Sequence, residues 1–272
     1  MDIIHSFLLG VVQGLTEFLP VSSSAHLVLL PKIINFKNEF LHSLTFDVLL
    51  HSGTLLAVLI YYREKIIKLL NSFFKGIFNK QERNNTEFKL SIFLISATIP
   101  ALLIGAFLND YAESKFRSPV LIALVLIVFG FFLLYADSKK NIGKDINNLT
   151  LKDALIIGCF QAIAIIPGVS RSGITITAAL LLGFKRQDAA EFSFLLSIPV
   201  IFGAFVFEIP DVIKHGVYEN ISILLTGFIS SFIAGFVAIL FLINFVKKNS
   251  YLPFVIYRVL LGILIIGLVL KG

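Results

Sequence analysis

Six apolar stretches, residues 44–62, 90–108, 119–136, 192–207, 221–246 and 252–270, dominate this chain and restrict what it can fold into. Each is near the roughly 17–25 residues with which an α-helix crosses a bilayer. Hydrophobic residues make up 57% of the chain and charged residues 15%, with a mean hydropathy of +0.92. A soluble domain carries about 25% charged residues, so the balance is that of an integral membrane protein. Two more apolar regions, 3–30 and 155–182, are interrupted near their middles by proline and polar residues. They read as broken or re-entrant helical elements. The expected fold is therefore all-α: one integral membrane domain over residues 1–272, with six transmembrane helices and two broken elements.

A net charge of +6 would suit nucleic acid, but the basic residues lie in short loops between apolar spans. Membrane orientation explains them better, and no nucleic-acid partner is expected. The single cysteine, Cys159, rules out an intrachain disulfide and a cysteine metal cluster. Ser23-Ser24-Ala25 resembles a signal-peptidase site. No Lys or Arg precedes Lys32, however, and Gln13 and Glu17 interrupt the apolar core, so the N-terminal region is expected to be part of the fold.

The chain also echoes itself. Gly10-Val11-Val12-Gln13 returns as Gly158-Cys159-Phe160-Gln161, and Pro20, Ser22, Ser23 and Ser24 return as Pro167, Ser170 and Ser172. Phe46-Asp47-Val48-Leu49-Leu50 matches Phe192-Ser193-Phe194-Leu195-Leu196, and Ser118-Pro119-Val120 matches Leu252-Pro253-Phe254. Three matches in one order indicate internal repeats over about 1–140 and 150–272. Each repeat holds three full spans, an odd number, so the second must enter the membrane inverted. Fifteen basic residues then fall on the side of the 63–89 loop and six on the other, with Arg171 and Arg258 inside spans. The positive-inside rule makes the richer side cytoplasmic and leaves both termini outside. Inverted repeats with broken helices bring their tips together near the midplane. Gln13, Glu17 and residues 22–26 should accordingly face residues 170–177.

The second tip, Pro167-Gly168-Val169-Ser170-Arg171-Ser172-Gly173-Ile174-Thr175, sets an arginine among hydroxyls inside an apolar stretch. An arginine at the centre of a membrane helix costs about 2.5–3.5 kcal/mol on insertion scales and is retained facing a cavity, partner or ligand. Here it follows a helix-breaking Pro-Gly and precedes an apolar run that can restart a helix, whose free N–H groups and positive dipole end favour an anion such as phosphate. In the first tip Gln13 and Glu17 are four apart on one helix face, Pro20 ends that helix, and Ser22, Ser23 and Ser24 can cap another beginning near His26. Each residue alone has a structural explanation: capping, a Glu17–Arg171 bridge, a satisfied interior histidine. Together they read as a site. Asp47 and His51 suit either a supporting role or a helix-end pair. Arg258 is given a structural role, with snorkelling to the interface open to it. Glu191 is expected at a cytoplasmic helix end, and residues 79–86 as a mobile loop.

These motifs closely resemble the bacterial undecaprenyl-diphosphate phosphatase family of the bacitracin-resistance type, over essentially the whole chain. The family's Glu/Gln-x-x-x-Glu pattern appears as Gln13 and Glu17, its Pro-Val-Ser-Ser motif and following histidine as Pro20 to His26, and its Pro-Gly-x-Ser-Arg-Ser motif as Pro167 to Ser172, with Thr175 beyond. The resemblance implies removal of the terminal phosphate from undecaprenyl diphosphate, giving the monophosphate carrier used for peptidoglycan. It also implies a divalent cation, Mg²⁺ or Ca²⁺. Arg171 would clamp the diphosphate, with Ser22, Ser24, Ser170, Ser172 and Thr175 completing the cradle. Glu17, with Gln13, would hold the metal. Attack would run through Ser23 or His26, or through water activated by Glu17 or His26. The family often has a second glutamate where this chain has Gln13, which weakens any mechanism needing two metal-binding carboxylates. The partners expected are the lipid diphosphate and membrane lipids, with a homodimer left open. An inverted-repeat transporter or lipid-carrier flippase is the competing reading, and a passive scaffold leaves the intramembrane charges unexplained.

Overall fold

The computed structural model describes residues 1–34, 38–116, 118–139, 143–215 and 221–271. Among them the regular structure is helical apart from one isolated bridge between Lys144 and Phe184. The first broken element is α1 (Asp2–Phe18) followed by α2 (Ser23–Ile34). Pro20 lacks an N–H and disfavours helical backbone in the residue before it, and Leu19 is extended at φ −68°, ψ 142°. The spans follow as α3 (Leu44–Tyr61), then, beyond α4 (Arg63–Phe78), as α5 (Thr86–Lys115) and α6 (Pro119–Ser138). The second broken element is α7 (Leu151–Ala162), a 3₁₀ turn over Ile163–Ile165, and α8 (Arg171–Leu181). α9 (Arg186–His215), α10 (Ile221–Val246) and α11 (Leu252–Lys271) complete the chain.

All six expected spans are helices. Five of them, α5, α6, α9, α10 and α11, contain segments long and apolar enough to cross a membrane, and α3 has a shorter apolar segment, Phe46–Tyr61. The protein is thus an all-α, multi-pass membrane protein.

The segment 63–89, read from the sequence as a connecting loop, folds into α4, and a 3₁₀ turn at Lys80–Asn84 occupies the expected loop at 79–86. Tertiary contacts explain the difference. Leu69, Ser72 and Gly76 form one buried face of α4, Ser91 Oγ on α5 donates to the Leu69 carbonyl at 3.0 Å, and the Phe73 and Phe88 rings stack at 6.4 Å. Arg83 Nε donates to the Gly76 carbonyl at 2.8 Å and closes the helix C-terminus.

Each broken element lies along a helix from the other half of the chain, α1 against α10 and α7 against α5. Glycines permit the approach. A Cβ at Gly10 would lie 2.5 Å from the Gly227 carbonyl oxygen, and one at Gly158 would lie 2.4 Å from that of Ala97, both closer than carbon and oxygen can come. α3 packs on α9 and α10, and α6 on α8 and α11.

Ion pairs gather the basic connections on one face. Lys65 pairs with Glu191, Lys144 with Asp153 and Lys185 with Asp145. Arg186 Nε meets Asp137 Oδ1 at 2.5 Å, and Asp137 Oδ2 accepts the Tyr251 N–H at 2.8 Å. Glu191 therefore serves as an anchor for α4 as well as marking a helix end. At this face Thr150 and Asp153 form a capping box on α7. Burial works to raise the Asp153 carboxyl, but Lys144 and Thr150 outweigh it and hold the group below the usual carboxylate range.

Candidate active site

The two breaks meet around Glu17. Gln13 Nε2, one turn earlier on α1, donates to Glu17 Oε2 at 3.0 Å, and Ser23 Oγ at the start of α2 donates to the same oxygen at 2.8 Å. Arg171, the first residue of α8, reaches Glu17 Oε1 through Nη2 at 2.6 Å, while its Nη1 donates to the Ser193 carbonyl at 3.1 Å. The carboxylate is thus fully engaged, and the guanidinium is held from two sides. A cavity of about 320 Å³ opens beside the pair. Its polar wall is Glu17, Arg171, Asp47 and His51, and its apolar wall is Val200, Ile201, Ala204 and Phe205 of α9, with Val48 between them. One end can take an anion and the other a hydrocarbon chain.

The hydroxyl groups repeat one backbone device. Ser22 and Ser170 are the only non-glycine residues with positive φ among the described residues, at +74° and +72°. Such a conformation strains an L-residue and persists where its surroundings fix it. Each serine caps the helix that follows: Ser22 Oγ accepts from Ala25 N at 3.4 Å, and Ser170 Oγ accepts from Gly173 N at 3.1 Å. Each also lies 3.2 Å from the hydroxyl two residues on, Ser24 or Ser172. Ser172 Oγ donates across to the Leu19 carbonyl at 3.1 Å and joins the breaks directly. Thr175 is not among the residues lining the cavity; its Oγ1 lies 2.8 Å from the Arg171 carbonyl and 2.7 Å from Ser193 Oγ. It braces the turn that carries Arg171.

The two histidines nearest the breaks are placed differently. His26 Nδ1 donates to the Ser22 carbonyl at 2.7 Å, which leaves Nε2 to accept from the Tyr257 hydroxyl at 2.6 Å. Both nitrogens are therefore occupied, and His26 is not part of the cavity wall. His51 is: its Nδ1 is 2.8 Å from the Asp47 carbonyl, and its Nε2 is 3.6 Å from Glu17 Oε2. Asp47 and His51, read from the sequence as either supporting residues or a helix-end pair, both line the cavity.

Arg258 does not snorkel. It is fully buried, and its hydrogen bonds among the described residues go to main-chain carbonyls: Leu126 at 3.1 Å, Pro20 at 3.3 Å, Val169 at 3.1 Å and Gly168 at 2.8 Å. One guanidinium thus binds both breaks and α6. A proline and a broken helix leave carbonyls unpaired in the membrane, and a five-donor fork suits that need. Its structural role in the sequence reading stands; its position does not. Neither Tyr257 nor Ser193 was singled out from the sequence. The match of Phe192-Ser193 to Phe46-Asp47 held the clue to Ser193, because Asp47 and Ser193 flank Glu17 and Arg171 respectively.

Among the described residues no three His, Cys, Asp or Glu side chains cluster as a metal site. The oxygen donors nonetheless fit a hard divalent ion. Gln13 Oε1 is buried with no hydrogen-bond partner, and the same amide touches the Glu17 carboxylate. Magnesium commonly takes one or two carboxylates and completes its shell with substrate phosphates.

Residues 6–264 match the family model for bacitracin resistance protein BacA. The chain is 44% identical to the undecaprenyl-diphosphatase of Geotalea daltonii over 266 residues, covering 97% of each chain. It is 43% identical to that of Trichlorobacter lovleyi over 274 residues, 100% of this chain and 99% of the relative, and 43% identical to that of Alcanivorax borkumensis over 263 residues, 97% of each. Matches of this extent, over the segment that holds both breaks, make the chain a member of the BacA family of bacitracin resistance proteins.

Proposed function

We propose that this protein hydrolyses undecaprenyl diphosphate to undecaprenyl phosphate and inorganic phosphate, returning the lipid carrier to peptidoglycan synthesis and conferring bacitracin resistance. The observation that carries the reading is the Glu17–Arg171 pair at the polar end of a half-apolar cavity. It stands beside relatives named for this activity.

The diphosphate displaces Glu17 from Arg171 and takes the guanidinium, a charge-assisted contact well matched to phosphate. The N-termini of α2 and α8, with Ser22, Ser24, Ser170 and Ser172 nearby, add donors and positive dipole ends where charge builds up in phosphoryl transfer. Glu17 and the unpartnered Gln13 Oε1 would hold a divalent cation such as Mg²⁺ or Ca²⁺, which would add to the neutralisation of the diphosphate. Ser23 Oγ already donates to Glu17, the arrangement of a nucleophile and its base. Ser23 attacks the terminal phosphorus, its proton passes to Glu17, and the bond to the bridging oxygen breaks, releasing undecaprenyl phosphate. Water then cleaves the phosphoserine ester and releases inorganic phosphate, while Glu17 returns the proton to Ser23. His26 fixes the Ser22 turn in this scheme.

Two inverted repeats, about 1–140 and 150–272, build the site. The crosswise packing of α1 on α10 and α7 on α5, and the matching serine turns, support that division. The cavity opens to the extracytoplasmic side. Supporting this, Asp47 and Val200 are each fourteen residues from the basic face along their helices, about 21 Å at 1.5 Å per residue. The basic face is cytoplasmic by the positive-inside rule.

The test is phosphate release from a prenyl diphosphate by purified protein, with and without EDTA and added Mg²⁺ or Ca²⁺. The expected result is one phosphate per lipid, lost with EDTA, and a ³²P-labelled Ser23 on rapid quench. No release from a monodisperse protein would overturn the activity. Normal release by Ser23→Ala would overturn only the covalent route.

A further inference from the structure

Among the described residues, helix α4 packs one of its three faces against the rest of the protein. Leu69, Ser72 and Gly76 are buried against α5. Ile67, Leu70, Phe74 and Ile77 follow at helical spacing along a second line, and all are exposed, Ile67 by 56% and Phe74 by 57%. A third line, Lys68, Asn71 and Lys75, is exposed and polar. A helix with four basic residues in its sixteen cannot span a bilayer, yet four large apolar side chains on one line are not suited to water.

We propose that α4 is an in-plane helix docked on the bilayer surface, with Ile67, Leu70, Phe74 and Ile77 in the acyl boundary and Lys68 and Lys75 on the phosphates of anionic phospholipids. The placement follows from connectivity and charge. α4 joins the end of α3 to the start of α5, so it lies at the membrane boundary by construction. Lys65 is already engaged with Glu191, whereas Lys68 and Lys75 are exposed on the outer line, each next in sequence to an apolar residue of the second line, Ile67 or Phe74. Apolar residues on one side and lysines on the adjoining side are the pattern of interfacial helices that prefer anionic lipid. Arg83, closing the helix, and Lys65, tying it to α9, fix the orientation in which it meets the lipid.

The experiment uses full-length protein in a Cys159→Ser background, carrying an environment-sensitive fluorophore at Phe74→Cys or Asn71→Cys. The protein is placed in nanodiscs of phosphatidylcholine alone or mixed with phosphatidylglycerol. Spin-labelled lipids should quench position 74 from the acyl chains and position 71 from the headgroups. Native mass spectrometry should show phosphatidylglycerol enriched over phosphatidylcholine on the protein. That preference should fall at least about fivefold in Lys68→Gln/Lys75→Gln, and fall likewise in the unsubstituted lysine protein as salt is raised. A position 74 that lipid spin labels do not reach, whether water or a second copy of the chain covers it, would overturn the proposal. So would a lipid preference indifferent to both the substitutions and salt.

Discussion

The two breaks share a backbone and differ in chemistry. At an offset of 148 residues, Ser22 and Ser170 have the same left-handed conformation, cap the following helix in the same way and approach the hydroxyl two residues on at the same distance. Gly10 and Gly158 make the same close approach to a crossing helix. Yet Glu17 corresponds to Ile165, and Ser23 to Arg171. The shared part makes a polar gap where α-helices would otherwise close the membrane. The unshared part puts a carboxylate and hydroxyl on one lip and a guanidinium on the other. In the proposed function it is the opposed charges across the gap, rather than the gap itself, that equip the site for phosphoryl transfer.

The strongest challenge to that contrast is to remove its two poles. Glu17→Ala and Arg171→Ala should each lower phosphate release more than about a hundredfold with an unchanged size-exclusion profile. Gln161→Ala, at the counterpart of Gln13, should leave most of the activity. Comparable losses at 161 and 17 would mean that the halves are not chemically distinct.

Arg258 serves both breaks at once and tests what they share. Arg258→Ala should lower stability by about 3 kcal/mol or more, because several buried carbonyls lose a charged donor. Arg258→Lys should not restore it, since one ammonium cannot span carbonyls from three segments. A normal melting temperature for either variant would remove Arg258 from its joining role.

Smaller and more symmetric effects are expected from the serine turns. Ser22→Ala and Ser170→Ala should each cost about 1–2 kcal/mol, losing the cap while keeping the strained φ. The glycine variants should be milder, because glycine tolerates the conformation. Unequal losses for the two alanine variants, measured by thermal unfolding in detergent, would break the structural equivalence.

The smallest effect concerns where the halves diverge at the outset. α7 begins with the Thr150 capping box, whereas α1 begins at Met1 without a side-chain cap. Thr150→Ala should cost about 1 kcal/mol. Because the folded-state Asp153 carboxyl is held below its ordinary range, its contribution is present above the unfolded pKa and disappears as pH falls through the folded one. Acid titration of stability should show that loss in the parent protein and a weaker one in the variant.

Much of this was legible in the chain. The spans, the two breaks and the facing of Glu17 toward the segment of Arg171 followed from long apolar runs, Pro20, Pro167-Gly168 and charges too costly to bury without purpose. α4 was less visible, because its apolar positions are interleaved with lysines and its helical state depends on packing against α5. The roles of His26 and His51 were not legible either. Both are histidines near polar residues, and the difference between them is the Tyr257 hydroxyl, 231 residues from His26 in sequence.

Hydropathy and helix-breaking residues are local, and in a membrane, where every backbone polar group needs a partner, they alone determined that this chain is a bundle of helices with two interruptions. Which side chains meet within those interruptions was decided only by the fold. Arg258 reaching Pro20, Gly168 and Val169, and His51 rather than His26 facing Glu17, depend on helix positions and rotations set by contacts between distant segments. No local pattern encodes an angle between two helices; close packing of their surfaces does.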